Sequence, residues 1–208
     1  MICVPIRKKR ANLLVSDFKE AQKHADIVEI WFDETENKNE NFEKIFKLKK
    51  LPIIYKVTTG ENLKKLEEFK IDFFDVDMGT SQKKINSIKK NNPGSKIIIS
   101  FHDFKKTPPP AGLQKKLIKI KKMKADIIKI ATTAKSLKDS LAMLKFLEEN
   151  SKNNKLIALC MGKHGKITRA AGHLFGNYLM YAPLKEEKKT ALGQTDIHKL
   201  KQIQCLLK

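Results

Sequence analysis

The stretch KIIISFHDFKKTPPPAGLQKKLIKIKKMKADIIKIAT, residues 96–132, contains a predicted strand, a predicted helix and a second predicted strand. Apolar and β-branched residues fill 96–102 and 127–132, and each run has about the length of a buried strand. Residues 110–123 between them carry apolar side chains at helical spacing, with lysines at the other positions. The stretch is therefore a strand–helix–strand unit, which favours an α/β fold.

The same alternation continues in both directions along the 208 residues. Further strands are predicted over 2–6, 27–33, 52–57, 73–78, 156–161 and 179–184. Further helices are predicted over 12–24, 41–48, 60–70, 81–90, 136–149, 167–176 and 195–207. Eight strand–helix units predict a single (β/α)8 TIM barrel domain over residues 1–208. An open doubly wound sheet is the competing arrangement, but the sequence has no GxGxxG after the first strand and no Walker loop.

The charge of the chain comes mostly from lysine. Lysine and arginine total 43 against 23 acidic residues, which gives a net charge of +20. Only Arg7, Arg10 and Arg169 are arginines, and bidentate recognition of phosphate or guanine usually recruits arginine. We therefore interpret the excess as a solvated lysine surface and expect no specific nucleic-acid partner.

Cysteine usage and hydropathy favour the cytoplasm. Cys3, Cys160 and Cys205 are odd in number, widely spaced and set among apolar neighbours, which is typical of reduced thiols. The opening MICVPIRKK has too short an apolar stretch for a secretory signal, and no run approaches the roughly 18 apolar residues of a membrane span. We expect a cytoplasmic protein with no membrane partner.

Lys129 is the candidate nucleophile. It lies in the apolar run 127–131, and burial in a strand disfavours the ammonium form and lowers a lysine pKa. If its face is the lumen of the barrel, the prediction is a neutral amine that forms an imine with a ketone or aldehyde. The alternative is that the strand is an edge strand, or ends at Ile128, and that Lys129 extends to water.

His102 is the candidate acid and base. It closes the fifth predicted strand, and the catalytic groups of such barrels lie at the carboxyl ends of strands. An imidazole there can exchange protons beside an imine on the next strand. A structural histidine bonded to a carbonyl or to Asp103 is the alternative. No histidine has metal-ligand spacing, so we predict no metal site.

Acidic and arginine side chains supply further candidates. On strand two, Glu29, Trp31 and Asp33 alternate onto one side, and on strand four Asp75 and Asp77 do the same. Buried carboxylates there would orient His102, bind substrate hydroxyls or form structural ion pairs.

Arg169 follows strand seven, where it would hold a substrate carboxylate or form a surface salt bridge. The loop KKTALGQTD, residues 188–196, follows strand eight on the side where barrels often bind anions.

Four stretches together carry a resemblance to a known family. They are ADIVEIWFD (25–33), SFHDFKKTP (100–108), ADIIKIA (125–131), and MGKHGKITRAAGHLFG (161–176) with TALGQ (190–194). In this order they resemble type I 3-dehydroquinate dehydratase, the Schiff-base enzyme of the shikimate pathway. The resemblance covers nearly the whole chain, and the HDF-x-K-TP stretch is its most specific part.

The resemblance implies a small-molecule substrate and a reaction without cofactor. By it, Lys129 forms the imine with 3-dehydroquinate, His102 acts as general base and acid, and loss of water yields 3-dehydroshikimate. Asp77 aligns with a glutamate of the family that partners the histidine. Members are often dimers, so a homodimer is expected. The resemblance assigns substrate binding to Glu29, Arg169, Thr190 and Gln194.

The chain departs from the family pattern at two arginine positions. Trp31 stands where the second strand usually has arginine, and Thr58 stands where an arginine follows the third strand. Both are predicted to line the pocket, and Lys56 offers a nearby point charge without the planar fork of arginine. Each lost charge-assisted hydrogen bond costs about 1.5 to 3 kcal/mol, or roughly 10- to 150-fold in affinity. The reaction type is therefore predicted more firmly than the substrate.

Three alternatives to this function stay open at the level of the sequence. One is a class I aldolase-like barrel, which also uses a strand lysine but cleaves a carbon–carbon bond. Another is the same dehydratase scaffold with an altered substrate or lost activity. The third is an inactive barrel whose basic surface binds RNA or DNA, with binding that falls steeply as salt is added.

Overall fold

Eight parallel strands form one sheet in the computed structural model, which describes residues 1–36, 38–60, 63–64 and 67–207. Their order in the sheet is β7-β6-β5-β4-β3-β2-β1-β8, so neighbours in sequence are neighbours in space and the chain ends meet. This is the topology of the predicted (β/α)8 barrel. The strands are β1 Ile2–Ile6, β2 Ile27–Ile30, β3 Ile53–Lys56, β4 Phe73–Asp77, β5 Lys96–Asp103, β6 Ile127–Thr133, β7 Leu156–Met161 and β8 Met180–Tyr181.

Helices connect the strands on the outside of the sheet. In the described ranges they are α1 Ala11–Ala21, α2 Lys38–Leu48, α3 Gln82–Asn91, α4 Pro110–Lys122, α5 Leu137–Ser151, α6 Lys166–Ala171 and α7 Ile197–Leu206. Short 3-10 helices cover Phe32–Glu34, Gly172–Phe175 and Glu186–Lys188. None of these helices is long and apolar enough to cross a lipid bilayer.

The seam of the barrel lies between β7 and β8. Strand β8 pairs with β1, as Cys3 with Tyr181, but does not form a ladder with β7. Instead, the backbone N–H of Tyr178 donates to the carbonyl of Leu156 at 2.9 Å, and the N–H of Ala158 donates to Oδ1 of Asn177 at 3.0 Å. One backbone bond and one side-chain amide therefore link β7 to the segment that leads into β8.

Two separate apolar clusters make up the core. The larger one packs the helices against the outer face of the sheet, with Leu14, Phe18 and Leu147 fully buried. The smaller one fills the lumen, and all of its strand residues point inward. Its lower part consists of Cys3, Ile27, Ile54, Ile98, Ile127 and Ile157. Because these side chains fill the amino-terminal end of the lumen, the open part of the barrel is its carboxyl end.

Several boundaries differ from those predicted. Strand β2 ends at Ile30, and Asp33 lies in a 3-10 helix, so the predicted alternation of Asp33 with Glu29 is wrong. Strand β8 is short because Pro183 has no N–H to continue the ladder. In the range predicted as a helix, 60–70, residues 61, 62, 65 and 66 lie outside the described residues. Of the described ones, Lys64 has 3-10 geometry and the others form turns and irregular structure.

Candidate active site

A cavity of about 410 Å³ opens at the carboxyl ends of the strands. Its floor is the polar layer above the apolar lumen, and its wall comes from the loops that follow the strands. A more open hollow of about 460 Å³ lies at the amino-terminal ends of β4 and β5. Nine of the residues singled out from the sequence line the first cavity: Glu29, Trp31, Thr58, Asp77, His102, Lys129, Arg169, Thr190 and Gln194.

Lys129 lies at the centre of the cavity floor. Its Nζ is 2.7 Å from Oδ2 of Asp75, 3.0 Å from Oε2 of Glu29 and 3.0 Å from the hydroxyl of Tyr181. These side chains come from β2, β4, β6 and β8, and a barrel lumen is filled by layers from alternate strands. Only 6% of Lys129 is exposed, so the alternative in which it extends to water is wrong.

The amine of Lys129 is charged in the resting site. Burial disfavours the ammonium, but the carboxylates of Asp75 and Glu29 outweigh burial and raise the pKa of Lys129 above its ordinary value. The predicted neutral amine is therefore wrong for the protein without substrate. The sequence showed the apolar neighbours of Lys129 along its own strand and did not show the two acids across the lumen.

A second buried lysine shares Asp75 with Lys129. Nζ of Lys56 is 2.8 Å from Oδ1 of Asp75 and 3.0 Å from Oγ of Ser100, which itself donates to the same Oδ1 at 2.6 Å. Burial alone would raise the pKa of Asp75, but Lys129 and Lys56 together lower it well below its ordinary value. Asp75 is thus a fully buried carboxylate between two ammonium groups, one on each oxygen.

His102 lines the same cavity with a neutral ring. Burial lowers the pKa of His102 to about 3, Lys129 and Lys56 act in the same direction, and Asp75 opposes them. Within the described part of the chain its nitrogens have no hydrogen-bond partner, and its ring stacks on Phe104 at 5.9 Å. The structural alternative with Asp103 is wrong, because that carboxylate accepts the backbone N–H groups of residues 105 and 106.

Asp77 does not partner His102 as the resemblance implied. Its side chain is exposed, and its Oδ1 accepts the backbone N–H of Gly79 at 2.7 Å. A short aspartate side chain forms this local turn easily, because the donor lies only two residues away. Asp77 lines the cavity, yet no hydrogen bond joins it to the imidazole in the described part of the chain.

Arg169 is a buried cation without an anion. It is 5% exposed, its Nε has no hydrogen-bond partner, and no carboxylate among the described residues pairs with it. Burial lowers the pKa of Arg169 to about 10. The alternative of a surface salt bridge is wrong, and the guanidinium is available to an anion in the cavity.

The loop from Thr190 to Gln194 lies against the end of β7. Gln194 is buried, and its Oε1 accepts the backbone N–H of Thr190 at 2.8 Å and that of Ala191 at 3.1 Å. Gly193 has φ +80°, and a Cβ there would lie 2.5 Å from the carbonyl oxygen of Gly162. The glycine permits this close approach, which places the hydroxyl of Thr190 at the cavity.

The two positions that lack the family's arginines have different surroundings. The indole N–H of Trp31 donates to Oε1 of Glu29 at 3.2 Å, and the guanidinium of Arg7 lies 4.6 Å over the Trp31 ring. Thr58 instead donates its N–H and hydroxyl to Oδ2 of Asp33, at 2.9 and 3.2 Å. Arg7 also lines the cavity. Sequence reasoning missed it, although an arginine directly after β1 is at the catalytic end of the barrel.

Known proteins match the chain over its whole length. The family model of type I 3-dehydroquinase matches residues 2–208. The 3-dehydroquinate dehydratase of Methanococcus maripaludis strain C7 is 35% identical over 224 aligned residues, covering 100% of both chains. The crystal structure of 3-dehydroquinate dehydratase from Geobacillus kaustophilus has a TM-score of 0.87 at 23% identity, covering 99% of this chain and 90% of that one.

A second solved structure that is similar to this chain contains a covalent ligand. It is the type I 3-dehydroquinate dehydratase of Clostridium difficile with covalent modified comenic acid. Its TM-score is 0.85 at 25% identity, and the match covers 99% of this chain and 91% of that chain.

Proposed function

This chain is a hydro-lyase of the type I 3-dehydroquinase family, and from that premise we propose that Lys129 and His102 remove water from 3-dehydroquinate through an imine. The single observation that carries the assignment of residues is the location of Lys129. Its amine is buried at the floor of a cavity that also contains a neutral imidazole and an unpaired guanidinium. The family match favours this reaction over the aldolase-like alternative.

The first half of the reaction joins the substrate to Lys129. The ammonium gives one proton to a carboxylate in contact with it, and Oε2 of Glu29 is 3.0 Å away. The free amine then attacks the ketone carbon. The ketone oxygen leaves as water with one proton from the amine and the proton returned by the carboxyl group, which leaves a protonated imine and a carboxylate. The carboxylates that hold Lys129 as a cation in the resting site stabilise that iminium cation as well.

The second half removes the hydroxyl group. The iminium withdraws electrons from the adjacent carbon, so His102 takes a proton from that carbon and the C–H electrons form an enamine. The enamine expels the β-hydroxyl, which leaves as water with the proton that His102 returns. Hydrolysis of the conjugated imine consumes the water lost in its formation and releases 3-dehydroshikimate, so one water is lost overall.

Substrate recognition uses the wall of the cavity. Arg169 has no protein anion, so we assign the substrate carboxylate to it, with Thr190 and Gln194 alongside. Glu29 accepts from substrate hydroxyls. Arg7 follows β1 and lies over Trp31 at the cavity, where its guanidinium, ion-paired with Glu34, adds a positive charge on the side where the family has an arginine from β2. Asp77 has no direct proton role in this scheme.

The test is reductive trapping of the imine. Borohydride added to the protein with 3-dehydroquinate is expected to add the mass of the reduced ligand to the peptide that contains Lys129. Lys129→Met should give no adduct and no activity, whereas Lys135→Met, which changes an exposed lysine soon after β6, should behave as the unchanged protein. An active protein without an adduct, or an adduct on another lysine, would rule out this mechanism.

Location, assembly and domain extent complete the proposal. We propose a cytoplasmic protein, because Cys3 and Cys160 are buried free thiols and Cys205 is an exposed one. We also propose one domain over residues 1–208 and a homodimer. Light scattering at several protein concentrations measures the assembly, and a mass of one chain throughout would contradict the dimer.

A further inference from the structure

We propose that Lys56 is a positioning residue that fixes the charge states of the reacting pair, Lys129 and His102, through the shared carboxylate of Asp75. The proposal rests on the proposed function, in which a lysine amine and a neutral imidazole act together. Lys56 is 8% exposed and lines the cavity, but its amine contacts Asp75 and Ser100 rather than open space. It therefore acts on the reaction through other groups.

The geometry divides one negative charge between two lysines. Oδ1 of Asp75 contacts Lys56 at 2.8 Å, and Oδ2 contacts Lys129 at 2.7 Å. A carboxylate with two cations stabilises each of them less than it would stabilise one alone, because the ammonium groups repel each other in a site shielded from water. Lys56 thereby makes it easier for Lys129 to lose the proton that blocks imine formation.

The positive charge of Lys56 also lowers the pKa of His102. Lys56 is a cation near the imidazole, and it also offsets the negative field of Asp75, which favours a protonated ring. Without Lys56 both effects are lost, and both losses raise the pKa of His102. The other charged or titratable groups that line this cavity are Arg7, Glu29, Asp77, Lys129, Arg169 and Tyr181.

The decisive experiment compares three variants at Lys56. Lys56→Met removes the charge and the donor, Lys56→Gln removes the charge and keeps a donor for Asp75, and Lys56→Arg keeps the charge. We expect Met and Gln to move the acid limb of the kcat/KM profile toward higher pH by about one unit, because a like charge at close range shifts a pKa by about that much. The Arg variant should retain the original profile.

A second readout does not depend on activity. The imidazole of His102 is titrated by NMR in the free protein, with its signal assigned from its absence in His102→Asn. The midpoint should rise by about one pH unit in Lys56→Gln and stay in place in Lys56→Arg. Lys49→Met is the matched control, because Lys49 is a lysine ion-paired with Asp72 at the opposite end of the barrel. It should change neither readout.

The outcomes separate this inference from the proposed function. If the unchanged protein traps an imine on Lys129 but Lys56→Gln keeps the original profile and His102 midpoint, Lys56 has only a structural role and the inference is wrong. If Lys56→Met does not fold, the Gln and Arg pair still decides the question. If the unchanged protein traps no imine on Lys129, the proposed function itself is wrong.

Discussion

His102 is a group whose neutral form the folded protein favours, because burial and two nearby ammonium groups lower its pKa from 6.5 to about 3. Below about pH 6.5 the unfolded chain binds a proton at this residue and the folded chain does not. The free energy of unfolding should therefore fall as the pH is lowered from 6.5 toward 3, with a contribution from His102 of up to about 1.4 kcal/mol per pH unit.

Urea unfolding at several pH values measures this effect. His102→Asn removes the titrating group, so the variant should lose less stability than the unchanged protein over the same range. His164→Asn is the control, since it removes a histidine from the loop after β7. Parallel stability curves for the unchanged protein and His102→Asn would contradict the assignment of a neutral, shielded imidazole.

We expect Arg169 to combine a cost in folding with a gain in binding. Its guanidinium is buried without a carboxylate, which costs free energy in the empty protein. Arg169→Met should therefore maintain or raise the melting temperature while it raises the KM for 3-dehydroquinate by roughly 10- to 150-fold, the equivalent of a charge-assisted hydrogen bond. Steady-state kinetics and thermal unfolding of the same preparation give both quantities.

Arg10→Met serves as the comparison for Arg169, because Arg10 is exposed at the start of α1 and does not line the cavity. It should leave the KM unchanged. A variant at Arg169 with lower stability and an unchanged KM would show that the guanidinium holds the fold and not the substrate.

The location of Lys129 and His102 was predictable, and their electrostatic state was not. The apolar run around Lys129 located it in a buried strand, and the position of His102 at a strand end located it at the cavity. The partners of Lys129 come from three other strands, at separations of 100, 54 and 52 residues. No pattern of period two along one strand reports such contacts, so the protonated amine required the folded structure.

At the scale of the elements, one hydrogen bond recurs in every second strand–helix unit. The acceptor is the side chain of an aspartate or asparagine just before an even-numbered strand. The donor is a backbone N–H group in the strand that precedes it along the chain. The pairs are Asp26 with Ile2, Asp72 with Ile53, Asp126 with Ile97 and Asn177 with Ala158. The bond adds a contact between β1 and β2, between β3 and β4, between β5 and β6, and between β7 and the segment before β8.

The asparagine of this series has the most demanding position. Asn177→Ala leaves the buried N–H of Ala158 without a partner at the seam, and the free energy of unfolding should fall by about 1 to 3 kcal/mol. Asp126→Ala is the matched comparison, because the side chain of Asp126 is 42% exposed and water can replace it. Chemical unfolding of both variants is the measurement, and an equal or smaller loss for Asn177→Ala would contradict the importance of the seam.

The periodicity of the sequence predicted most of the strands and helices, and the boundaries that were wrong have local causes. Strand β2 stops at Ile30 because the next residues enter a 3-10 helix in which Phe32 is buried and the hydroxyl of Thr35 donates to the carbonyl of Lys8. Trp31 and Phe32 are apolar and therefore read as a continued strand. The hydrogen bond that recurs in every second strand–helix unit was also missed, because one aspartate before a strand is a weak signal until its partner is known.

At the scale of the molecule, the net charge of +20 is a source of self-repulsion. Raising NaCl from about 0.01 M to about 0.15 M shortens the screening length from about 30 Å to about 8 Å. We expect the melting temperature to rise, with about 2 to 4 °C for each kcal/mol gained in a chain of this size. The same scan in a chain acetylated on its exposed lysines should show a smaller rise, and a falling melting temperature in the unmodified protein would contradict the prediction.

The architecture was predictable as a whole because a barrel is built from a repeated unit. A single strand–helix assignment is uncertain, but eight in succession leave few topologies, and the parallel order from β1 to β7 with β8 returning to β1 is the one observed. The roles of the side chains differ from one strand–helix unit to the next. Only the folded lumen shows that Lys56 faces Asp75 while Thr58, two residues later, binds Asp33.

The indole of Trp31 has one further consequence. It is the single tryptophan of the chain, it is stacked under Arg7 at the cavity, and its N–H contacts Glu29. Its tryptophan fluorescence therefore originates at the cavity, against a background of three tyrosines. Occupancy by any ligand that displaces the guanidinium or engages Glu29 is readable from the emission of the unlabelled protein.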